Sequence, residues 1–170
     1  VSTFRYVLRG KRLFKLVARY LVWRWPHSRE RLQEHIPAPP DSHLQKVIDY
    51  TIRRSTYRPV HGANRRAEIY YKMISFPPRD LSKENLLIIG GKDVAELYIA
   101  WLYGFSWKNI QGIDLFSLHP KIHVMNMEDM SYGDESFDVV TMCNVYGYQL
   151  DPVKCLAEVV RVLKPGGHFS

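Results

Sequence analysis

The sequence predicts a doubly wound α/β sheet preceded by a helical extension. Three observations predict it: short apolar runs that recur after residue 85, helical periodicity between those runs, and glycine or proline at nearly every junction. The 170 residues, 46% hydrophobic and 13% aromatic, suffice for one packed domain with an appendage and exclude general disorder. No apolar run reaches the ~18–20 uncharged residues of a membrane span. The N-terminus also lacks a small-residue cleavage pattern after a short apolar core, so a cytoplasmic protein is expected.

Charge divides the chain. Residues 1–85 carry 18 Lys/Arg against 7 Asp/Glu, and residues 86–170 carry 6 against 10, so a basic front half (+11) precedes an acidic back half (−4). Residues 1–40 read as a basic amphipathic helical extension with a Pro-rich linker. Between Lys11 and Trp25, Leu13, Phe14, Leu16, Val17, Tyr20, Leu21 and Trp23 recur at three- and four-residue steps, with Arg12, Lys15 and Arg19 on the opposite face. Such a helix suits packing on its own domain, the surface of an anionic membrane, or a nucleic-acid backbone. Pro26 stops it, and Ile36-Pro-Ala-Pro-Pro40 imposes an extended linker.

Residues 41–85 read as a helical cap. A helix from Asp41 to about Tyr57 places Leu44, Val47, Ile48 and Ile52 on one face, with Asp41 or Ser42 as its cap. A shorter helical stretch spans Arg65 to Ile74.

Residues 86–170 read as the core. Leu86–Ile89 is a buried strand, and the turn Gly90-Gly91-Lys92 leads into a helix that opens at Asp93 and ends at Gly104. A second strand covers Ile110–Ile113. Strand, helix and strand in this order imply parallel pairing with a right-handed crossover. Further strands are expected at Ile122–Met125 and Phe137–Met142. Asp151-Pro152 then starts a helix whose Leu156, Val159, Val160 and Leu163 follow helical spacing. Pro165-Gly166-Gly167 stops it before a fifth strand that begins at His168. Ligands on such sheets bind outside the carboxyl ends of the strands where the winding reverses, which directs attention to Gly90 and Asp114.

The cysteines Cys143 and Cys155 match no metal-ligand spacing and read as buried structural thiols; no metal site is inferred. Asp134, Glu135 and Asp138 read as a solvated turn, Arg161 as a surface or packing residue, and the Lys164-Pro-Gly-Gly turn as structural.

The run Asn126-Met-Glu-Asp-Met-Ser-Tyr-Gly-Asp-Glu-Ser-Phe-Asp-Val-Val140, with Asp151-Pro152 and Val162-Leu-Lys-Pro-Gly-Gly167, resembles class I S-adenosylmethionine-dependent methyltransferases. The resemblance implies a Rossmann-like, mostly parallel sheet, incomplete here, and S-adenosyl-L-methionine as cofactor. Position by position it implies that Asp114 binds the ribose hydroxyls, that Leu115 packs beneath the adenine, and that Asn126 and the Met127 backbone face the adenine edge. Cys143 and Asn144 would lie beside the methionine part, near Gly90 and Gly91. It implies no catalytic base; Tyr146, Tyr148 and His119 fall near strand ends.

The pattern departs from the family at the first turn. Ile88 stands where an acid is usual, and Lys92 and Val94 replace two of three glycines, with Glu96 a partial substitute for the acid. The chain starts at Val1 and stops as the fifth strand begins, so a fragment is expected, with an open sheet edge that invites association. The acceptor would be a small molecule, lipid or glycan, with peripheral membrane contact through the basic helix. The alternatives are a non-catalytic methyltransferase-like module that binds or stabilises a partner and, least supported, a nucleic-acid methyltransferase or binder.

Overall fold

A computed structural model describes residues 42–57, 79–91, 95–117, 119–143 and 150–170, together with residues 16, 38, 40, 71, 73, 74, 145 and 147. The basic extension and its linker, residues 1–40, lie outside the described residues except for Leu16, Ala38 and Pro40; Leu16 is helical and exposed. No helix among the described residues is long and apolar enough to cross a membrane.

Helix α1 spans His43–Tyr57. Of the two caps expected for it, Ser42 serves, its Oγ accepting from the Gln45 N–H at 3.1 Å. Among its described side chains Ile48 is fully buried.

The core is a five-stranded sheet in the order β3-β2-β1-β4-β5, with every pair parallel. The strands are β1 Leu86–Ile89, β2 Ile110–Asp114, β3 Ile122–Val124, β4 Phe137–Met142 and β5 Leu163–Phe169. Helix α2, Ala95–Tyr103, joins β1 to β2, and helix α3, Pro152–Val162, joins β4 to β5. All four residues of β1 are buried because the strand is central and covered on both faces. Leu86, Ile88, Ile110, Ile122 and Val139 pack with Leu97, Ala100 and Leu102 of α2 and with Tyr71 and Ile74. On the other face Leu87, Ile89, Ile113 and Val140 pack with Cys155, Val159 and Val162 of α3. The doubly wound α/β expectation holds, and both cysteines are buried.

Two local expectations need correction. The fifth strand was expected from His168, but pairing starts at Leu163, which lies opposite Phe137. His168 lies opposite Val139, so five residues on β5 advance against two on β4. Lys164–Gly167 therefore bulges within the strand. Gly166 has φ +75°, and a Cβ on Gly167 would stand 2.9 Å from the Lys164 carbonyl oxygen, so glycine suits both positions.

Asp138 is not part of a solvated turn. Its Oδ2 accepts from the Asn85 N–H at 2.8 Å, and Lys164 Nζ lies 2.9 Å from both carboxylate oxygens. Asp134, by contrast, is exposed but paired with Arg161 at 2.8 Å.

These pairs predict acid lability. Burial pushes the Asp138 carboxyl up, but the bonds from Lys164 and Asn85 and the charges of Lys164 and Arg79 outweigh it and hold the group low. Arg161 is the main cause that holds Glu158 low. Both folded values lie below the unfolded ones, so their stabilisation is complete above the unfolded carboxylate range and is lost as pH falls through the folded values. Urea denaturation should give a stability that declines below about pH 4, with Asp138→Asn showing a shallower decline. Parallel acid limbs for the two proteins would contradict this.

Candidate functional site

The winding reverses between β1 and β4. The chain runs outward from β1 to β2 and β3, then returns to β4 on the other side of β1. A crevice for ligands therefore opens at the carboxyl ends of β1, β2 and β4.

Gly90 ends β1 with φ +78°, and its N–H donates to the Ile113 carbonyl at 2.8 Å, which fixes the turn against β2. At the end of β2, half-buried Asp114 accepts the Leu115 N–H on Oδ1 at 2.7 Å, and its carbonyl accepts the Met125 N–H at 2.9 Å. The latter bond ties the end of β3 to that of β2. Asn126 follows directly; its Oδ1 accepts the Glu128 N–H at 3.0 Å, and its backbone bridges to Asp129. Met127 is partly buried against the α3-side core. The structure thus gathers Gly90, Asp114, Leu115, Asn126 and Met127 on one sheet edge. Cys143, just past β4, is buried in the α2-side core, and Gly91 is buried beside Ile88. Asn144, Lys92, Tyr146 and Tyr148 lie outside the described residues.

Three contributors escaped sequence reasoning. Glu128, buried in the acid-rich loop after β3, accepts the Leu150 and Asp151 N–H groups on Oε1 at 2.5 and 3.1 Å. It ties the loop after β3 to the start of α3 and so joins the two sides of the crevice. Its neighbouring acids gave no hint of burial. Tyr71, 1% exposed, brings its hydroxyl to 3.4 Å from Thr141 Oγ1 on β4, and Thr141 is the register partner of Ile88. Burial, then the charge of Glu96, pushes the Tyr71 hydroxyl pKa up, so it stays protonated. A contact across seventy residues leaves no local signal.

The third is Val145, whose role follows from Gly90. A Cβ on Gly90 would lie 2.1 Å from Val145 Cγ1 and 2.8 Å from Cγ2, so the valine occupies the open face of the glycine. A Cβ on Gly91 would lie 3.1 Å from Ile88 Cγ2.

Arg161 organises the loop that continues from Met130. Its Nη2 donates to the Met130 carbonyl at 2.8 Å, and its Nη1 to the Tyr132 carbonyl at 2.7 Å and to Asp134 at 2.8 Å. Its Nε donates to Glu158 at 2.7 Å. His119 is buried, with Nδ1 accepting the Lys121 N–H at 3.1 Å and its ring edge-on to Trp107, which places it in a loop scaffold. Among the described residues, no three His, Cys, Asp or Glu side chains group to hold a metal ion.

Residues 103–170 match the family model described as a methyltransferase domain. Comparison with curated proteins gives no match. Among solved structures the chain is similar to one from Methanococcus maripaludis described as an S-adenosyl-L-methionine-dependent methyltransferase. The identity is 15% and the TM-score 0.51, over 79% of this chain and 65% of that one. It is also similar to a structure of the Haloferax volcanii Trm112 methyltransferase activator in complex with a chain described as a methyltransferase. There the identity is 19% and the TM-score 0.53, over 75% and 58% of the two chains. In both cases this chain spans less than two-thirds of the length of its match. The likeness to these structures is one of fold, the doubly wound parallel sheet, and S-adenosyl-L-methionine, which one of them is described as depending on, is the cofactor against which the site is compared.

The residues fit that cofactor unevenly. A carboxylate at Asp114 and an amide at Asn126, both at strand ends, suit ribose hydroxyls and an adenine edge. The glycine face at Gly90, which would receive the amino-acid arm, is filled by Val145.

Proposed function

We propose that the chain is an S-adenosylmethionine-dependent methyltransferase acting on a small-molecule, lipid or glycan acceptor. The observation that carries this reading is the convergence of Asp114, Asn126 and Met127 beside the Gly90 turn at the reversal of the sheet. The cofactor supplies an electrophilic methyl group. The chain's own part is to bind and orient: Asp114 accepts from the vicinal ribose hydroxyls, Leu115 offers an apolar surface to the ring, and Asn126 and the Met127 backbone meet its polar edge. By the resemblance, Cys143, Asn144 and Gly91 would meet the methionine part of the cofactor. Methyl transfer needs in-line approach in a desolvated site, and the protein's contribution is mostly positioning.

The basic composition of the N-terminal segment favours peripheral contact with an anionic membrane, which accords with a cytoplasmic protein and a lipid acceptor. The outer edge of β5 supports association with another chain: Phe169 on that strand and Val153 and Val160 on α3 are exposed. A second reading, a non-catalytic module that binds or stabilises a partner, is favoured by Ile88 in place of the usual acid and by Val145 over Gly90.

Calorimetry with S-adenosylmethionine tests the cofactor reading. Binding should be detected, and Asp114→Ala should weaken it at least tenfold, about 1.4 kcal/mol. Equal affinity in the two proteins would remove the ribose assignment. Binding without methyl transfer to lipid, glycan or small-molecule acceptor pools would favour the second reading.

A further inference from the structure

We infer that Val145 is a specificity-determining residue that lets the crevice accept an adenine nucleoside while obstructing a long amino-acid arm on its 5′ carbon. The inference rests on the cofactor reading above. A nucleoside at the ends of β2 and β3 directs its 5′ substituent across β1 toward β4, because the strands follow the order β3-β2-β1-β4 at about 4.8 Å spacing. That path crosses Gly90.

In this chain Val145 stands against that glycine. Both γ-carbons of Val145 come within 2.8 Å of the point where a Gly90 Cβ would stand. The valine is anchored as well as close, since it packs on the cluster containing Leu87, Ile89, Ile113 and Met142. The glycine is thus accounted for by a positive φ and by a contact inside the protein, with no ligand needed to explain it. Gly91 is met less tightly: a Cβ there would stand 3.1 Å from Cγ2 of Ile88, the residue in the place of the family's acid. A short 5′ substituent stops before this barrier, whereas a homocysteine arm must displace the valine.

The test compares two probes on the full chain by calorimetry: S-adenosylhomocysteine and 5′-deoxy-5′-methylthioadenosine, which share nucleoside and sulfur but differ in the arm. The unaltered chain should bind methylthioadenosine at least as tightly as S-adenosylhomocysteine. Val145→Ala should tighten S-adenosylhomocysteine about tenfold and leave methylthioadenosine almost unchanged. Val145→Thr, of similar shape, should tighten neither and controls for disturbance of the loop. A clear preference of the unaltered chain for S-adenosylhomocysteine, undiminished and unimproved in Val145→Ala, overturns the inference. Asp114→Ala separates the two levels: if it weakens both probes while Val145→Ala changes neither, this inference alone falls. If Asp114→Ala changes neither probe, or if no protein in the set binds either one, the nucleoside reading falls with it.

Discussion

Ile88→Asp, which would restore the acid usual at the end of the first strand, is expected to destabilise the domain by at least about 3 kcal/mol. Ile88 is fully buried, paired with Gly112 on β2 and Thr141 on β4, and packed in the α2-side core. The hydroxyls of Tyr71 and Thr141 lie on this side but face each other at 3.4 Å. Glu96 already brings one negative charge near Tyr71, so a second carboxylate would meet like charge as well as desolvation. Ile88→Val, which removes one methylene without adding charge, should cost only about 1 kcal/mol. Urea denaturation of the two variants checks the pair. An aspartate variant as stable as the valine variant would show that the site tolerates a carboxylate and that the core around Ile88 is misdescribed.

Arg161→Ala should be nearly as damaging, at about 2–4 kcal/mol, because one guanidinium satisfies two backbone carbonyls and two carboxylates. Its loss leaves the Met130 and Tyr132 carbonyls without that donor and removes part of the tie between this loop and α3, where the bond from the Met130 N–H to Glu158 remains. Arg161→Lys should recover less than half of the loss, since an ammonium cannot reproduce the planar fork that reaches all four groups. Equilibrium unfolding measures both. Full rescue by lysine would mean that charge alone matters there.

The strands were legible because burial on both faces demands apolar runs, and Leu86–Ile89 and Phe137–Met142 appear in the structure with the expected bounds. The third helix was legible for a local reason too: Asp151 Oδ1 accepts the Val153 and Lys154 N–H groups, and Pro152 fixes the first turn. The start of β5 was not, because Pro165-Gly166-Gly167 carries the same signal whether it ends a helix before a strand or bulges within one. Asp138 looked like any acid in a turn; only the fold brings Lys164 and the Asn85 N–H to it. In the crevice, Asp114 and Asn126 could be placed at strand ends from sequence, since strand boundaries fix them. Tyr71, Glu128 and Val145 could not, because each acts through a partner distant in the chain. Val145 matters most, since two glycines that signal an open cradle in sequence prove to be packed by aliphatic side chains.

A crystal structure of the full chain grown with S-adenosylhomocysteine decides whether the crevice holds an adenine nucleoside. The ribose hydroxyls should lie on the Asp114 carboxylate and the adenine edge at Asn126 and Met127, with Val145 displaced from Gly90 wherever the amino-acid arm is ordered. A ligand seated elsewhere, with Asp114 bound only to its own loop, would contradict it.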